Sequence, residues 1–352
     1  MRAKSHIIYF LCALSVMIVT GCRGFLVHEY PGQDGGEPVD PTLINLKVRF
    51  NPCPAFTYMD DVQMPVETSD FYPEDTHSAR YFVEVRVDEP FNKDIVYKEM
   101  FTTSIDHLGD VIERQFILHA FHYKIIVWQD LTDPANPELD YWYNTNPLTA
   151  IKVFEKSIYE GGHDSKQVSS VTEDVDLTQY RDDWNVTLDM DIPLLRPQSK
   201  FILISTDLQK FTKSFLANYP TKADLTEEQI FRTCRMRVTY NGYLPTGYNA
   251  ATGLLNDSQG GYGFDFDVKT IGDEAAIVAF DYVLTGPSPT SVNVGLTLYD
   301  EEGTVLNSVS SINVPLTRNK ITVVRGEYLT REYGGGVGID SDFDGEFNII
   351  IP

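Results

Sequence analysis

The chain has 352 residues, 42% of them hydrophobic, and a formal net charge of −23 at pH 7. That length leaves room for two domains of ordinary size. So acidic a surface repels phosphate backbones and anionic headgroups, which argues against a nucleic-acid partner.

The N-terminus is the most informative stretch. Arg2 and Lys4 precede an apolar run from Ile7 to Val19 that only Cys12 and Ser15 interrupt. The run falls short of the about 20 apolar residues that cross a bilayer, so residues 1–21 read as a signal peptide. It ends on Val19-Thr20-Gly21-Cys22, the pattern that lipoprotein signal peptidase requires, and Cys22 is the expected lipidation site. The alternative is an ordinary signal peptide with a cysteine there by chance. Acyl chains on Cys22 would hold the protein to a membrane at about 0.8 kcal/mol per buried CH₂. Residues 22–42, rich in Gly, Pro and Asp, then read as the lipidated cysteine and a flexible tether.

Beyond the tether the apolar period is two almost everywhere, which predicts strands with one dry and one wet face. Ile44, Leu46, Val48 and Phe50 alternate with Asn45, Lys47 and Arg49. Tyr81, Val83, Val85 and Val87 alternate with Arg80, Phe82, Glu84 and Arg86. Gln115 to Trp128 is a long aromatic and β-branched run, read as one central strand buried on both faces. Trp184, Val186, Leu188, Met190 and Ile192 keep the alternation to the end of the first half. Two prolines in Pro193-Leu194-Leu195-Arg196-Pro197 interrupt the pattern, and this sets expected domains at 43–194 and 195–352.

In the second half one helix is predicted from Leu208, Phe211, Phe215 and Leu216, with Thr206-x-x-Gln209 as a capping box at its start. A weaker helical patch runs from Leu225 to Phe231. Cys234, Met236, Val238 and Tyr240 form a strand face, as do Val292, Val294, Leu296 and Leu298. Asp300-Glu301-Glu302-Gly303 reads as a hairpin turn with glycine at the left-handed position. Further strands are expected near 275–284, 304–314, 320–328 and 346–351. The fold class is therefore all-β: two tandem β-sandwiches, with one or two short helices in the second.

No catalytic motif emerges: there is no nucleophile elbow, P-loop or dinucleotide fingerprint. The chain is read as a non-enzyme that needs no cofactor. His119 and His122 lie three apart in a strand-like run, so they point to opposite faces and do not share a metal. Asp340-x-Asp342-x-Asp344-Gly345 reproduces the first half of a calcium loop. Its twelfth position is Ile351 rather than glutamate, so an acidic β-turn is the plainer reading and calcium the weaker one. Tyr141-Trp142-Tyr143 is the densest aromatic cluster and a candidate glycan platform. Cys53 and Cys234 fall in different expected domains, and the sequence leaves open whether they are bonded or separate buried thiols.

Several stretches resemble the fimbrillin-type lipoproteins of Bacteroidales. They are the lipobox, Tyr123 to Asp130, Phe201 to Leu208, Val314 to Asn319 running into Val324 to Thr330, and Ile339-Asp340-x-x-Phe343-Asp344-Gly345-Glu346. The resemblance implies two transthyretin-like sandwiches on an outer-membrane lipoprotein, working as a fimbrial stalk, tip or anchor subunit. It also implies that an arginine-specific protease removes the first strand, after which a neighbour's strand fills the groove. Here the groove would be the place of Ile44, Leu46, Val48 and Phe50, with Arg49 or Arg80 as candidate cut sites. Arg49 lies inside the strand rather than after it, and Pro352 directly follows the last expected strand; both departures favour an anchor or accessory role. The expected partners are other fimbrial subunits and the outer membrane, at the cell surface or in a fimbrium. The rival reading is a stand-alone surface lipoprotein that binds glycan or host protein through the aromatics around Tyr141.

Overall fold

The computed structural model describes residues 40–59, 77–153 and 159–330. The first half contributes β1 (Ile44–Asn51), β2 (Thr57–Tyr58), β3 (Ser78–Val87), β4 (Ile95–Ser104) and β5 (Ile112–Leu118). It continues with β6 (His122–Thr132), β7 (Tyr143–Asn144), β8 (Ile151–Val153), β9 (Ser169–Asp176) and β10 (Thr187–Pro193). Two sheets, ordered β10-β1-β5 and β4-β3-β6-β9, face each other across one core. The period-two pattern of β1 gives its dry face: Ile44, Leu46, Val48 and Phe50 are each at most 2% exposed. They meet Tyr81, Val83 and Val85 of β3 and Ile125 and Val127 of β6 in that core.

The second half runs through β11 (Gln198–Ser205), helices α1 (Leu208–Asn218) and α2 (Glu227–Arg232), β12 (Arg235–Tyr240), β13 (Tyr243–Asn249) and β14 (Leu254–Gly260). Then come β15 (Gly263–Phe266), β16 (Lys269–Ile271), β17 (Ala275–Leu284), β18 (Thr290–Tyr299), β19 (Val305–Leu316) and β20 (Lys320–Gly326). Sheets ordered β16-β17-β11-β20-β2 and β15-β12-β18-β19 form the second sandwich. The hairpin of β18 and β19 turns at Asp300 to Gly303, where Gly303 has φ +84°, a conformation that costs glycine nothing. Leu208, Phe211 and Phe215 bury the apolar face of α1, and Phe211 stacks on Phe231 of α2 at 5.4 Å between ring centroids.

The two sandwiches interlock. A fifth sheet, ordered β14-β13-β8-β7, draws two strands from each half. It covers the second face of β6, so that Ile126 and Trp128 join Trp142, Tyr143, Ile151, Tyr248 and Leu284 in a third core. β2 crosses as well, pairing in parallel with β20.

Three local expectations are corrected. The run from Gln115 to Trp128 is not one strand: it breaks at His119 to Phe121, leaving β5 on β1 in one sheet and β6 on β3 in the facing one. Of these two strands β6 alone is buried on both faces, because it has a second core behind it. Trp184 is 65% exposed, since β10 begins at Thr187 and the tryptophan lies in the turn before it. The capping box belongs to α2, where Thr226 and Gln229 exchange side-chain and backbone bonds. At α1 the N-cap is Asp207, whose carboxylate is committed elsewhere.

Candidate functional site

β1 is held on both sides, in parallel by β10 and antiparallel by β5. Its wet face carries Arg49, whose Nε and Nη2 donate to the two oxygens of Asp191 at 2.8 and 2.9 Å. Asp189 stands 3.6 Å from Nη1. Hydrogen bonding to Arg49 holds the Asp191 carboxyl below the usual aspartate value. The Arg49 side chain is thus partly accessible, while its backbone is engaged in the sheet.

Arg80 is corrected as a cut site in the folded chain, because it is 0% exposed. Its Nε and Nη2 donate to Asp130 at 2.9 and 2.7 Å, and Nη1 donates to the Leu139 carbonyl at 3.0 Å. Asp140 takes a further bond from Nη2 at 3.2 Å. A fork of this kind satisfies a buried guanidinium, and it leaves nothing for a protease to bind.

The glycan platform is corrected too. Trp142 is 6% and Tyr143 1% exposed, so two of its three rings are core. Trp142 Nε1 donates to Ser165 Oγ at 3.1 Å, and the Tyr143 hydroxyl donates to the Lys166 carbonyl at 2.8 Å. Tyr141 packs edge-on against Trp142. The Pro- and Asn-rich composition suggested a surface loop. Instead, Tyr143 lies in β7 of the fifth sheet, and its ring and that of Trp142 join the third core.

His119 sits in the break between β5 and β6, and His122 faces Asp176 at 3.5 Å. Among the described residues no group of three or more His, Cys, Asp or Glu is placed to hold a metal ion. Cys53 and Cys234 are separate free thiols, and burial pushes both up, Cys234 to about 11. Cys22 and the acidic turn at Asp340, Asp342 and Asp344 lie outside the described residues.

A buried polar cluster lies at the junction of the two sandwiches. Asp281 of β17 accepts from Lys166 Nζ at 2.7 Å on Oδ1, and from the hydroxyls of Tyr159 and Tyr240, each at 2.7 Å, on Oδ2. Beside it Lys200 of β11 donates to Asp164 at 2.6 Å, and the Tyr282 hydroxyl donates to the same carboxylate at 2.7 Å. Residues 159–166 come from the first half and pack on the second sandwich, so these bonds join the two. A buried lysine, aspartate and two tyrosines resemble proton-transfer machinery, but both charges are sealed at 2% exposure or less and fully bonded. The cluster fixes the relative placement of the sandwiches. Its residues are scattered over more than 120 positions, so neither motif nor period marks them.

Fold and site define a two-sandwich β protein with no catalytic constellation among its described residues. In particular, the chain belongs to the family of unknown function DUF6562, whose profile matches residues 48–352. No curated protein matches it. Among solved structures it is similar to the fimbrial anchor protein Mfa2 of Porphyromonas gingivalis, at 14% identity and TM-score 0.41, covering 76% of this chain and 82% of that one. A protein provisionally assigned to cell adhesion from Bacteroides eggerthii aligns at 9% identity and TM-score 0.41, over 84% of this chain and 90% of that one. A provisionally assigned adhesin from Bacteroides ovatus aligns at 11% identity and TM-score 0.40, over 76% and 78%.

Proposed function

We propose that this chain is a non-catalytic lipoprotein of the cell envelope, anchored through lipid on Cys22. In this reading it serves adhesion as a fimbrial-type subunit or anchor and joins its partners by β-strand addition. The observation that carries the reading is the setting of β1. It is a short N-terminal strand, seated between two others of its sheet, with four apolar side chains that fill one core. Withdrawing such a strand opens a groove with backbone donors and acceptors on both sides and alternating pockets on one face, the arrangement that accepts a strand from another chain. The lipobox and the sequence stretches that resemble fimbrillin-type lipoproteins support the same reading. Of the two candidate cut sites, Arg49 is the one with a side chain at the surface.

Isolated fimbriae and chemically cross-linked envelopes are expected to contain this chain joined to a second subunit. Its absence from both preparations would sink the proposal.

A further inference from the structure

Between the two sandwiches lies a cavity of about 620 Å³, within the range of roughly 300–1,000 Å³ that holds small organic ligands. Most of its wall is apolar, from Phe56, Tyr58, Leu108, Ile202 and Ile321. Set into that wall is Arg196, only 9% exposed. A buried guanidinium normally has a carboxylate beside it, because an unpaired buried charge costs several kcal/mol.

Arg196 has no such partner among the described residues. Its Nη1 donates to the neutral amide oxygen of Gln167 at 2.9 Å. Its Nε is buried with no hydrogen-bond partner. Its flat face lies 4.1 Å from the centroid of Phe56. The Cys53 thiol is within hydrogen-bonding reach of Arg196, yet burial raises that thiol above its ordinary value, so it is a neutral partner rather than a counter-charge. The second cation on the wall, Lys200, is already bonded to Asp164 and Tyr282, so its charge is matched. The acid among the lining residues, Asp106, is exposed to solvent. In a chain of net charge −23, a buried cation with no carboxylate beside it among the described residues is the feature that asks for explanation.

We propose that this cavity binds a small aromatic carboxylate. The carboxylate would accept from Arg196, and the ring would lie among Phe56, Tyr58 and Tyr282. The site is independent of the strand-addition reading, since it uses residues on neither face of β1.

The test is a fluorescence titration of the purified chain with 2-naphthoate and with its uncharged isostere 2-naphthamide. Saturable naphthoate binding, with the amide weaker by roughly tenfold to a hundredfold, is expected from one charge-assisted bond. Arg196→Gln should abolish the preference for the acid, whereas the exposed Arg232→Gln should leave it intact. Should Arg196→Gln fail to fold, Leu108→Trp fills the cavity from its wall and should block both probes while sparing Arg196. Equal binding of acid and amide, a preference that survives Arg196→Gln, or no saturable binding would each overturn the proposal. So would displacement of naphthoate by an acidic peptide of higher affinity, which would make the natural occupant a polypeptide.

Discussion

Lys166 Nζ lies 2.7 Å from Asp281 Oδ1 across the junction of the two sandwiches, with both side chains sealed from solvent. Their mutual attraction does not guarantee net stabilisation, because two charges must be taken out of water. Removing one partner is a different matter, since the survivor is stranded. Lys166→Ala and Asp281→Ala are each expected to cost about 3–5 kcal/mol, read from chemical denaturation. A double substitution costing much less than the sum of the two would show the coupling directly. Additive costs would mean that the pair does not act as a unit.

Arg80 offers a second test of buried electrostatics. The geometry toward Asp130 is a two-pronged fork, which lysine cannot reproduce. Arg80→Lys is therefore expected to lose about 2–4 kcal/mol, close to the loss for Arg80→Ala. A lysine variant as stable as the parent would show that charge alone suffices there.

Alkaline pH should unfold the protein from the junction outward. Tyr143, Tyr159, Tyr240 and Tyr282 are all held well above the usual tyrosine value of 10.0, first by burial and then by nearby aspartates. Their folded values exceed their unfolded ones, so the stability they contribute is complete below pH 10 and is lost as pH rises beyond it. Lys200 has the opposite sign: burial lowers it to about 8, so its share of the stability rises between pH 8 and the ordinary lysine value of 10.5. Denaturation midpoints across pH 8–11, with tyrosinate absorbance followed in parallel, should show tyrosine ionisation and unfolding arriving together. Tyrosines ionising near pH 10 in a folded chain would contradict the burial.

Phe50 is 2% exposed on β1, and Phe50→Ala is expected to cost about 3–5 kcal/mol in the isolated chain. Under the proposed function the same change should also favour release of β1, read as faster cutting at Arg49 by an arginine-specific protease. Unchanged cutting alongside lowered stability would confine Phe50 to packing.

The strands were legible where one face is wet. β1, β12 and β18 follow their apolar period residue by residue, and Gly303 announces its turn. β6 was legible as buried but not as separate from β5, because an aromatic run has no period to mark where the chain leaves one sheet for the other. Arg80 and Glu84 sit at polar positions of an alternating strand, and so read as solvent-facing. Arg80 is covered by the 137–140 loop, which supplies the Leu139 carbonyl and Asp140, and Glu84 is paired with Arg86 and Lys98. The fifth sheet is as hard to read, since it forms from segments about 100 residues apart, as Tyr248 opposite Ile151 shows. The junction cluster and Arg196 escaped for the same reason: a charge reveals its burial only through partners distant in sequence.

Assembly through an exchanged strand can be read from an immunoblot of native envelopes, run unboiled and boiled. Subunits joined by strand addition resist mild detergent and separate on heating. Heat-sensitive bands above monomer size are expected: a ladder for a subunit within a fibre, or a single band near dimer size for an anchor holding one neighbour. A monomer under both conditions would contradict assembly through an exchanged strand.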